Sequence, residues 1–269
     1  MRLCLSIFIV ALFSCQSKYL QVKFPAPNTD ERLAGSAFYD SVKKMNWKER
    51  EAIALPQLLN GNMPGFLLRF VAIHTSIVDS ATGKTIKATY FVSPDYISIG
   101  TNEDWARIPL TPMSAQPLAD TLHCFLPTRK MVNDIYQQAT VKLAPMPMFA
   151  FRDSSVTMYQ HHLIIEGQRQ GKKGLIAGIK KDVVITDKLT RSDKKDRVAI
   201  YGWHLLNGQV IQPLYTGHIN WWVDYSHGIR LVYRTIIVDG KKMDYTDVMK
   251  DAVLRRLLSD EAFSDVYRY

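Results

Sequence analysis

Long apolar runs are missing from most of this 269-residue chain. A helix that spans a bilayer needs about 20 apolar residues, and no stretch after the N-terminal region reaches about 18 uncharged apolar residues. The chain also has no internal repeat. These absences exclude a bundle of membrane-spanning helices and a repeat solenoid. The 47% of hydrophobic residues is instead enough to fill the core of a globular domain.

The N-terminus carries one short apolar run, residues 3–13, behind a single positive charge. This run is too short for a permanent membrane helix and predicts a secretory signal. It ends in Leu-Phe-Ser-Cys, residues 12–15, which resembles the lipobox of bacterial lipoproteins. The resemblance implies a signal peptide at 1–14 and a lipid anchor on Cys15. The mature protein would then be exported and held by its lipid on a membrane of the bacterial cell envelope.

Cysteine is scarce, with three residues in the whole chain. Cys4 would leave with the signal peptide and Cys15 would carry the lipid, so the mature domain keeps only Cys124. We therefore expect no intrachain disulfide. Cys124 is either a buried thiol or a nucleophile.

Acidic residues are fewer than basic ones, and the formal net charge is +9. The basic residues are densest in 172–197, where Asp182, Asp187, Asp193 and Asp196 interrupt them. Such mixing is typical of a solvated loop rather than of a phosphate-binding stripe. We therefore expect no nucleic-acid partner. For an exported protein, an anionic cell-wall polymer or a lipid head group is the better electrostatic partner.

The chain divides into a tether at 15–35, which contains Pro25, Pro27 and Asn28, and a single domain at 36–269. Apolar spacing and capping residues predict helices at 41–55, 111–122, 128–139, 154–166 and 245–258, and strands within 65–100 and at 174–186, 198–206, 209–216 and 219–238. Helices that come first and a mostly antiparallel sheet that follows favour an α+β fold.

The segment 218–230, "HINWWVDYSHGIR", has the highest density of side chains capable of chemistry. If it is one strand, alternation places Asp224 and Ser226 on a polar face and His227 on the opposite, apolar face. His218 would lie ~20 Å from Asp224 along that strand. The alternation argues against a local Ser-His-Asp triad and implies that His218 finds its partner on another strand.

A type I′ hairpin turn is predicted at Asn-Gly 207–208, with Leu205 opposite Val210. The sheet would then offer three histidines on strands that can be neighbours: His204, His218 and His227. This group is the strongest functional signal in the sequence.

The first hypothesis is thiol catalysis, in which Cys124 is the nucleophile and one of these histidines is its base. The string "DYSHGIRLV" is similar to the histidine strand of papain-like cell-wall peptidases and amidases. This resemblance implies a papain-like fold, with His227 as the base and His218 or Asp224 as its orienting group. Cys124 departs from the pattern because it lies four residues before Thr128, the expected helix N-cap, so the helix dipole does not obviously lower its pKa.

The second chemistry is a zinc site made by His204, His218 and either His227 or Asp224, with water as the fourth ligand. The sequence has no HExxH motif or comparable pair of closely spaced ligands. We therefore expect no cofactor, with zinc as the alternative.

The third hypothesis is that the protein binds a glycan and catalyses no reaction. Trp203, Trp221, Trp222 and Tyr225 offer flat faces for sugar rings, although Trp221 and Trp222 point to opposite faces of a strand. Ser226 and Arg230 could donate hydrogen bonds to a ligand. Lys181 at the entrance of a predicted strand and Arg129 at the start of a predicted helix could supply positive charge. The candidate substrate-binding residues are Trp203, Tyr225, Ser226, Arg230, Arg129 and Lys181.

Five strings, "LPTRKMVNDIY", "KKDVVIT", "VAIYGWH", "IQPLYTGH" and "VDYSHGIRLV", together resemble a group of uncharacterised secreted bacterial proteins over roughly residues 90–260. The resemblance implies a shared exported α+β domain and assigns no reaction.

Our hypothesis is an envelope-anchored hydrolase that cleaves a cell-wall peptide or amide bond with a histidine general base. The candidate catalytic residues are His218, His227, Asp224, Cys124 and His204. The alternative is a glycan-binding or glycan-processing lipoprotein with an aromatic-lined cleft.

Overall fold

The computed structural model describes residues 17–24, 32–190, 192–194, 196–262 and 268–269. The predicted signal peptide at 1–14 and the predicted lipid anchor Cys15 lie outside these residues. Within the described residues, no helix combines the length and the apolar character needed to cross a bilayer.

Capping residues in the sequence set most helix starts. Asn46 and Glu49 form a capping box in which each side chain accepts from the other residue's backbone N–H. Thr128 and Ser154 each accept from a backbone N–H three residues ahead, as the sequence predicts. The described α-helices are α1 (Gly35–Ser41), α2 (Trp47–Leu59), α3 (Pro112–Thr121), α4 (Arg129–Gln138), α5 (Ser155–Arg169) and α6 (Tyr245–Lys250). The helix expected at 41–55 corresponds to α2, which begins later than expected and continues past Pro56, whereas α1 ends at Ser41.

The strands are short, apart from one long hairpin. They are β1 (Tyr19–Gln21), β2 (Arg69–Val78), β3 (Thr85–Val92), β4 (Ser98–Gly100), β5 (Trp105–Arg107), β6 (Cys124–Phe125), β7 (Val141–Lys142), β8 (Ile176–Ala177), β9 (Lys181–Val183), β10 (Ile200–His204), β11 (Val210–Tyr215), β12 (His227–Gly228), β13 (Val232–Tyr233), β14 (Thr235–Val238) and β15 (Lys241–Asp244).

Two larger sheets organise the domain. In the first, β1, β2, β3, β13 and β6 pair in that order, and β14 pairs with both β3 and β15; every pairing is antiparallel. The second has the order β11, β10, β9, β12, and only its last pair is parallel. The predicted α+β class with a mostly antiparallel sheet is confirmed. Strands and helices are nevertheless interleaved along the chain, since the β2–β3 hairpin precedes α3.

The segment predicted as a tether contributes to this fold. Residues 19–21 pair with β2, and Val22 is buried in the core. The described part of the segment is therefore packed against the domain rather than extended away from it.

A largely buried ionic network is centred on Arg107 of β5, whose side chain is 1% exposed. Arg107 pairs with Asp95 at 2.6 Å and with Glu166 of α5 at 2.8 Å. Backbone hydrogen bonds from Ser93 to Leu231 and from Ile97 to Ile229 fix residues 93–97 against the chain that follows β12. Because breaking one partner of a buried ion pair leaves an uncompensated charge, Arg107 and Asp95 hold each other in place beside these backbone hydrogen bonds.

The predicted strand at 219–238 is wrong. Residues 219–226 bend, β12 belongs to the second sheet, and β13 and β14 belong to the first. The predicted hairpin register is also wrong: His204, not Leu205, pairs with Val210. Only Gly208 of the turn has positive φ, and its N–H donates to the Leu205 carbonyl, which indicates a three-residue loop instead of a type I′ turn.

Candidate functional site

The last strand pair of the second sheet, β9 and β12, brings one lysine beside one histidine. Lys181 of β9 is in register with His227 of β12, and its backbone N–H donates to the Ser226 carbonyl at 2.7 Å. Residues in register on paired strands point to the same face, about 4.8 Å apart. Lys181 and His227 are therefore neighbours on one face of the sheet.

A turn at 224–227 brings Asp224 to the same place. The Asp224 carboxylate accepts from the Ser226 N–H at 2.8 Å and from the Ser226 hydroxyl at 2.6 Å, and the His227 N–H donates to the Asp224 carbonyl at 3.1 Å. This side-chain-to-backbone pattern replaces strand pairing locally. The alternation argument that separated His227 from Asp224 is wrong because it assumed a continuous strand.

The second oxygen of Asp224 pairs with Arg152, at 2.9 Å from a guanidinium nitrogen. Arg152 comes from the loop before α5, and its side chain is 43% exposed. Burial alone would raise the pKa of Asp224, yet the pKa is lowered because His227, the Ser226 hydrogen bonds and Arg152 favour the charged carboxylate. Asp224 is thus a fixed negative charge.

His218 and His227 lie close together, with ring centroids 6.1 Å apart. The expectation that His218 lies ~20 Å from Asp224 is wrong, because the chain between them is not one continuous strand, and Asp224 is close enough to influence the pKa of His218. His227 is 2% exposed, and burial lowers its pKa to about 4 although Asp224 acts in the opposite direction. His218 is half-buried against Tyr215 and Trp222, and burial lowers its pKa as well. Both imidazoles are therefore neutral near pH 7, and within the described chain no side chain hydrogen-bonds to either ring.

Lys181 is 8% exposed, and its ammonium nitrogen lies 5.0 Å from the centroid of the Trp203 ring. No carboxylate of the described residues lies within ion-pair distance of it. Burial lowers the pKa of Lys181, Asp224 opposes that change, and Arg152 adds to it. We call His218, His227 and Lys181 the basic cluster.

Two aromatic side chains form the wall behind the basic cluster. Tyr225 is 1% exposed, and its hydroxyl accepts from the Met148 N–H at 2.7 Å. Trp203 packs edge-on against Tyr225 at 6.4 Å, has φ +57°, and buries an indole N–H that has no partner among the described residues. A non-glycine residue in the left-handed region stores strain, which recurs at functional sites. Neither ring offers an open face for a sugar.

Ser226 and Arg230 are structural within the described residues. Ser226 is fully buried and donates its hydroxyl proton to Asp224. Arg230 is 1% exposed, donates to the carbonyls of Ser93 and Ile176, and lies 3.8 Å from Asp182. Both residues position the site rather than contact a ligand directly.

Cys124 lies in strand β6, outside the second sheet, and is 1% exposed. Its thiol donates to the Leu122 carbonyl at 3.2 Å, and burial raises its pKa well above the ordinary value. A nucleophilic cysteine needs access and a lowered pKa. These observations argue against Cys124 as the nucleophile.

His204 faces α4, away from the basic cluster. Its ring stacks on Tyr136 at 4.3 Å and contacts the Asn133 carboxamide oxygen at 3.1 Å, beside an open cavity of about 650 Å³. In the described part of the chain, no three His, Cys, Asp or Glu side chains are grouped as they would be around a metal ion. The structure therefore brings together two of the three histidines and not the third.

Arg129 has its acidic partner within the chain. It donates to Asp260 at 2.9 Å, so this cation at the start of α4 is paired with a carboxylate of the protein itself.

Two residues near the basic cluster could not be predicted from the sequence as part of the site. Arg152 lies 72 residues before its partner Asp224. Lys180 is fully buried; its ammonium donates to the Tyr225 carbonyl and lies 3.3 Å from His161, and burial lowers its pKa to about 7. Sequence alternation places Lys180 on the face opposite Lys181, but only the fold reveals its partners.

Comparison with known proteins found no match: no family model, curated protein or solved structure is significantly similar to this chain. The resemblances to papain-like enzymes and to the secreted bacterial group therefore remain expectations from the sequence.

Proposed function

We propose that the protein is a hydrolase of the cell envelope that cleaves a cell-wall peptide or amide bond with His227 as general base. The observation that carries the proposal is the His227 imidazole: it is buried, neutral, without a hydrogen-bond partner in the described chain, and adjacent to the fixed Asp224 carboxylate. A neutral ring accepts a proton, and a nearby carboxylate stabilises the imidazolium that forms.

The nucleophile in this proposal is water. The Ser226 hydroxyl is committed to Asp224, and the Cys124 thiol is buried in another sheet. A water molecule beside His227 would lose its proton to the ring and attack the carbonyl carbon. His218, on the more exposed side, would orient that water.

Digestion of purified peptidoglycan tests the proposal. We expect wild-type protein to release soluble fragments whose masses identify the bond, and His227→Gln to lose at least about a hundredfold in rate, the usual contribution of a positioned acid–base group. The matched control is Cys124→Ala, which should retain activity. Intact sacculi after incubation with wild type, or full activity in His227→Gln, would refute the proposal.

Export and anchoring belong to the same proposal and rest on the lipobox resemblance at residues 12–15. Cys15→Ala should move the protein from the membrane fraction to the soluble fraction, because the lipid would have no attachment site. Retention of this variant in the membrane fraction would contradict a lipid anchor.

One observation favours glycan binding as a second function. Trp47 and Trp221 stack at 6.2 Å with an interplanar angle of 13°, beside an open cavity of about 370 Å³ that Lys44, Asn46 and Asp153 also line. Trp221 is 42% exposed, so one ring is accessible to a sugar.

Co-sedimentation with insoluble peptidoglycan measures this second function. Trp221→Ala should weaken the binding, whereas Tyr19→Ala, which replaces an exposed aromatic residue of β1 outside that cavity, should not. Equal loss of binding in both variants would argue against a site at Trp221.

A further inference from the structure

We propose that Lys181, assisted by Arg152, binds the free C-terminal carboxylate of a peptide substrate, so that the enzyme removes the last residue of the chain. This inference rests on the proposed hydrolase function and specifies its substrate class.

The first step is the unpaired charge of Lys181. Lysine is almost never nine-tenths buried without a partner, and Lys181 is 8% exposed with no carboxylate of the described chain in ion-pair range. The Trp203 ring, 5.0 Å away, attracts the cation but accepts none of its three N–H donors in the usual way. The ammonium therefore has no acceptor among the described side chains, and a ligand can supply one.

The second step is the charge balance of the face. Arg152 and Lys181 are cations, and Asp224 is the carboxylate closest to both. The Asp224 oxygens are already used by Ser226 and Arg152. One further anion would balance the face, and the exposed part of the Arg152 guanidinium retains donors for it.

The third step is the orphaned donor behind Lys181. The Trp203 indole N–H is buried without a partner among the described residues, and its backbone is in the left-handed region at φ +57°. Buried polar groups are normally satisfied, and strained residues persist where the surrounding structure enforces them. Both features lie next to Lys181 and point to a ligand at this place.

The fourth step is distance. Lys181 and His227 are in register on paired strands, whose backbones are about 4.8 Å apart. Their side chains lie side by side on one face, so the peptide bond nearest to a carboxylate held by Lys181 is the one that reaches His227. The bond that this geometry presents is the last peptide bond of the substrate.

The reaction balances without a further reactant. The oxygen of water bonds to the carbonyl carbon while one of its protons passes to His227. The C–N bond then breaks, and the proton moves from His227 to the departing amine of the terminal residue. The products are a shortened peptide and a free amino acid.

Two synthetic peptides test the inference: L-Ala–γ-D-Glu–L-Lys–D-Ala–D-Ala and the same peptide with a C-terminal amide. Binding is measured by calorimetry with the full chain carrying His227→Gln, so that cleavage does not interfere. We expect the free acid to bind about tenfold or more tightly than the amide, because the amide leaves the Lys181 charge unpaired.

Added to His227→Gln, Lys181→Met should remove the preference for the free acid, and Lys181→Arg should keep it, which separates lost charge from misfolding. Lys188→Met, at an exposed position, is the matched control and should keep the preference. Equal binding of acid and amide, or no binding of either, would overturn the inference. If the acid is not preferred but wild-type protein still digests peptidoglycan, the hydrolase function stands and only the carboxylate site is refuted. Preferential binding of the acid without cleavage of any substrate by wild type would support the anion site and refute the hydrolase.

Discussion

At the scale of single residues, burial has opposite consequences for Cys124 and His227. Both are almost fully buried, and in both burial favours the neutral form. A neutral thiol is a poor nucleophile, whereas a neutral imidazole is a proton acceptor. Burial therefore deprives Cys124 of its thiolate but leaves His227 in the form that accepts a proton, and Asp224 opposes the lowering of the His227 pKa.

The thiol of Cys124 should be unreactive in the folded protein. In a Cys4→Ser, Cys15→Ser background, Ellman's reagent should label it slowly in buffer and rapidly in denaturant, because the thiol is inaccessible and mostly protonated. Fast, complete labelling of the native protein at pH 7 would contradict this description of the site.

The activity of the hydrolase should persist at mildly acidic pH. An unperturbed histidine base loses activity below about pH 6.5 as its ring takes up a proton. Burial lowers the pKa of His227, so the ring stays neutral further into the acid range. The acid limb of kcat/KM should therefore lie below pH 6.5; a limb at or above that value would mean that another group is the base.

At the scale of secondary-structure elements, β12 is held by close packing at Gly228. A Cβ there would lie 2.5 Å from Tyr96 Cδ1 and 2.7 Å from the Cβ of Lys180, well inside contact distance. Any side chain would push β12 from β9 and displace His227 relative to Lys181. The close packing at Gly228 therefore sets the position of His227 relative to Lys181.

Gly228→Ala should lower both the free energy of unfolding and the activity, with a stability loss of about 1–3 kcal/mol, typical of overpacking. Gly167→Ala is the matched control: position 167 is exposed within α5, and nothing lies near its added Cβ. Helix propensity predicts that it gains about 0.5–1 kcal/mol. Urea unfolding measures both, and a neutral Gly228→Ala would contradict the packing argument.

At the scale of the whole molecule, buried neutral histidines make stability depend on pH. Burial lowers the pKa of His161 to about 2, of His162 to about 3, and of His204 and His227 to about 4. Their unfolded value is about 6.5. Unfolding therefore takes up protons below pH 6.5. Asp182 acts in the opposite direction, since burial raises its pKa to about 7, and burial raises the pKa of Glu261 as well, but the four histidines outnumber these two groups.

The free energy of unfolding should consequently fall as the pH decreases from about 6.5 to about 4, because the unfolded chain binds more protons there. His161→Gln removes one of these groups and should make the fall less steep, whatever its effect at pH 7. Urea midpoints at several pH values measure the slope. A midpoint that rises towards acid pH would contradict the burial of these histidines.

Local signals in the sequence determined the α+β class, most helix starts and part of the site. Capping side chains such as Thr128 and Ser154 act within one turn, so their effect is visible in a short window. The same holds for the residues of "HINWWVDYSHGIR", of which Asp224, His218 and His227 do meet. Their arrangement was mispredicted because the Asp224–Ser226 turn breaks the strand whose alternation the prediction assumed.

Tertiary structure alone decided which distant residues share the site. Register between β9 and β12 brings Lys181 to His227, the loop before α5 brings Arg152 to Asp224, and β9 separates His204 in β10 from β12. These contacts depend on strand pairing and burial across the whole chain, which no local pattern encodes. The sequence by itself determined which chemical groups are available, and the fold decided which of them are buried, neutral and left without a partner.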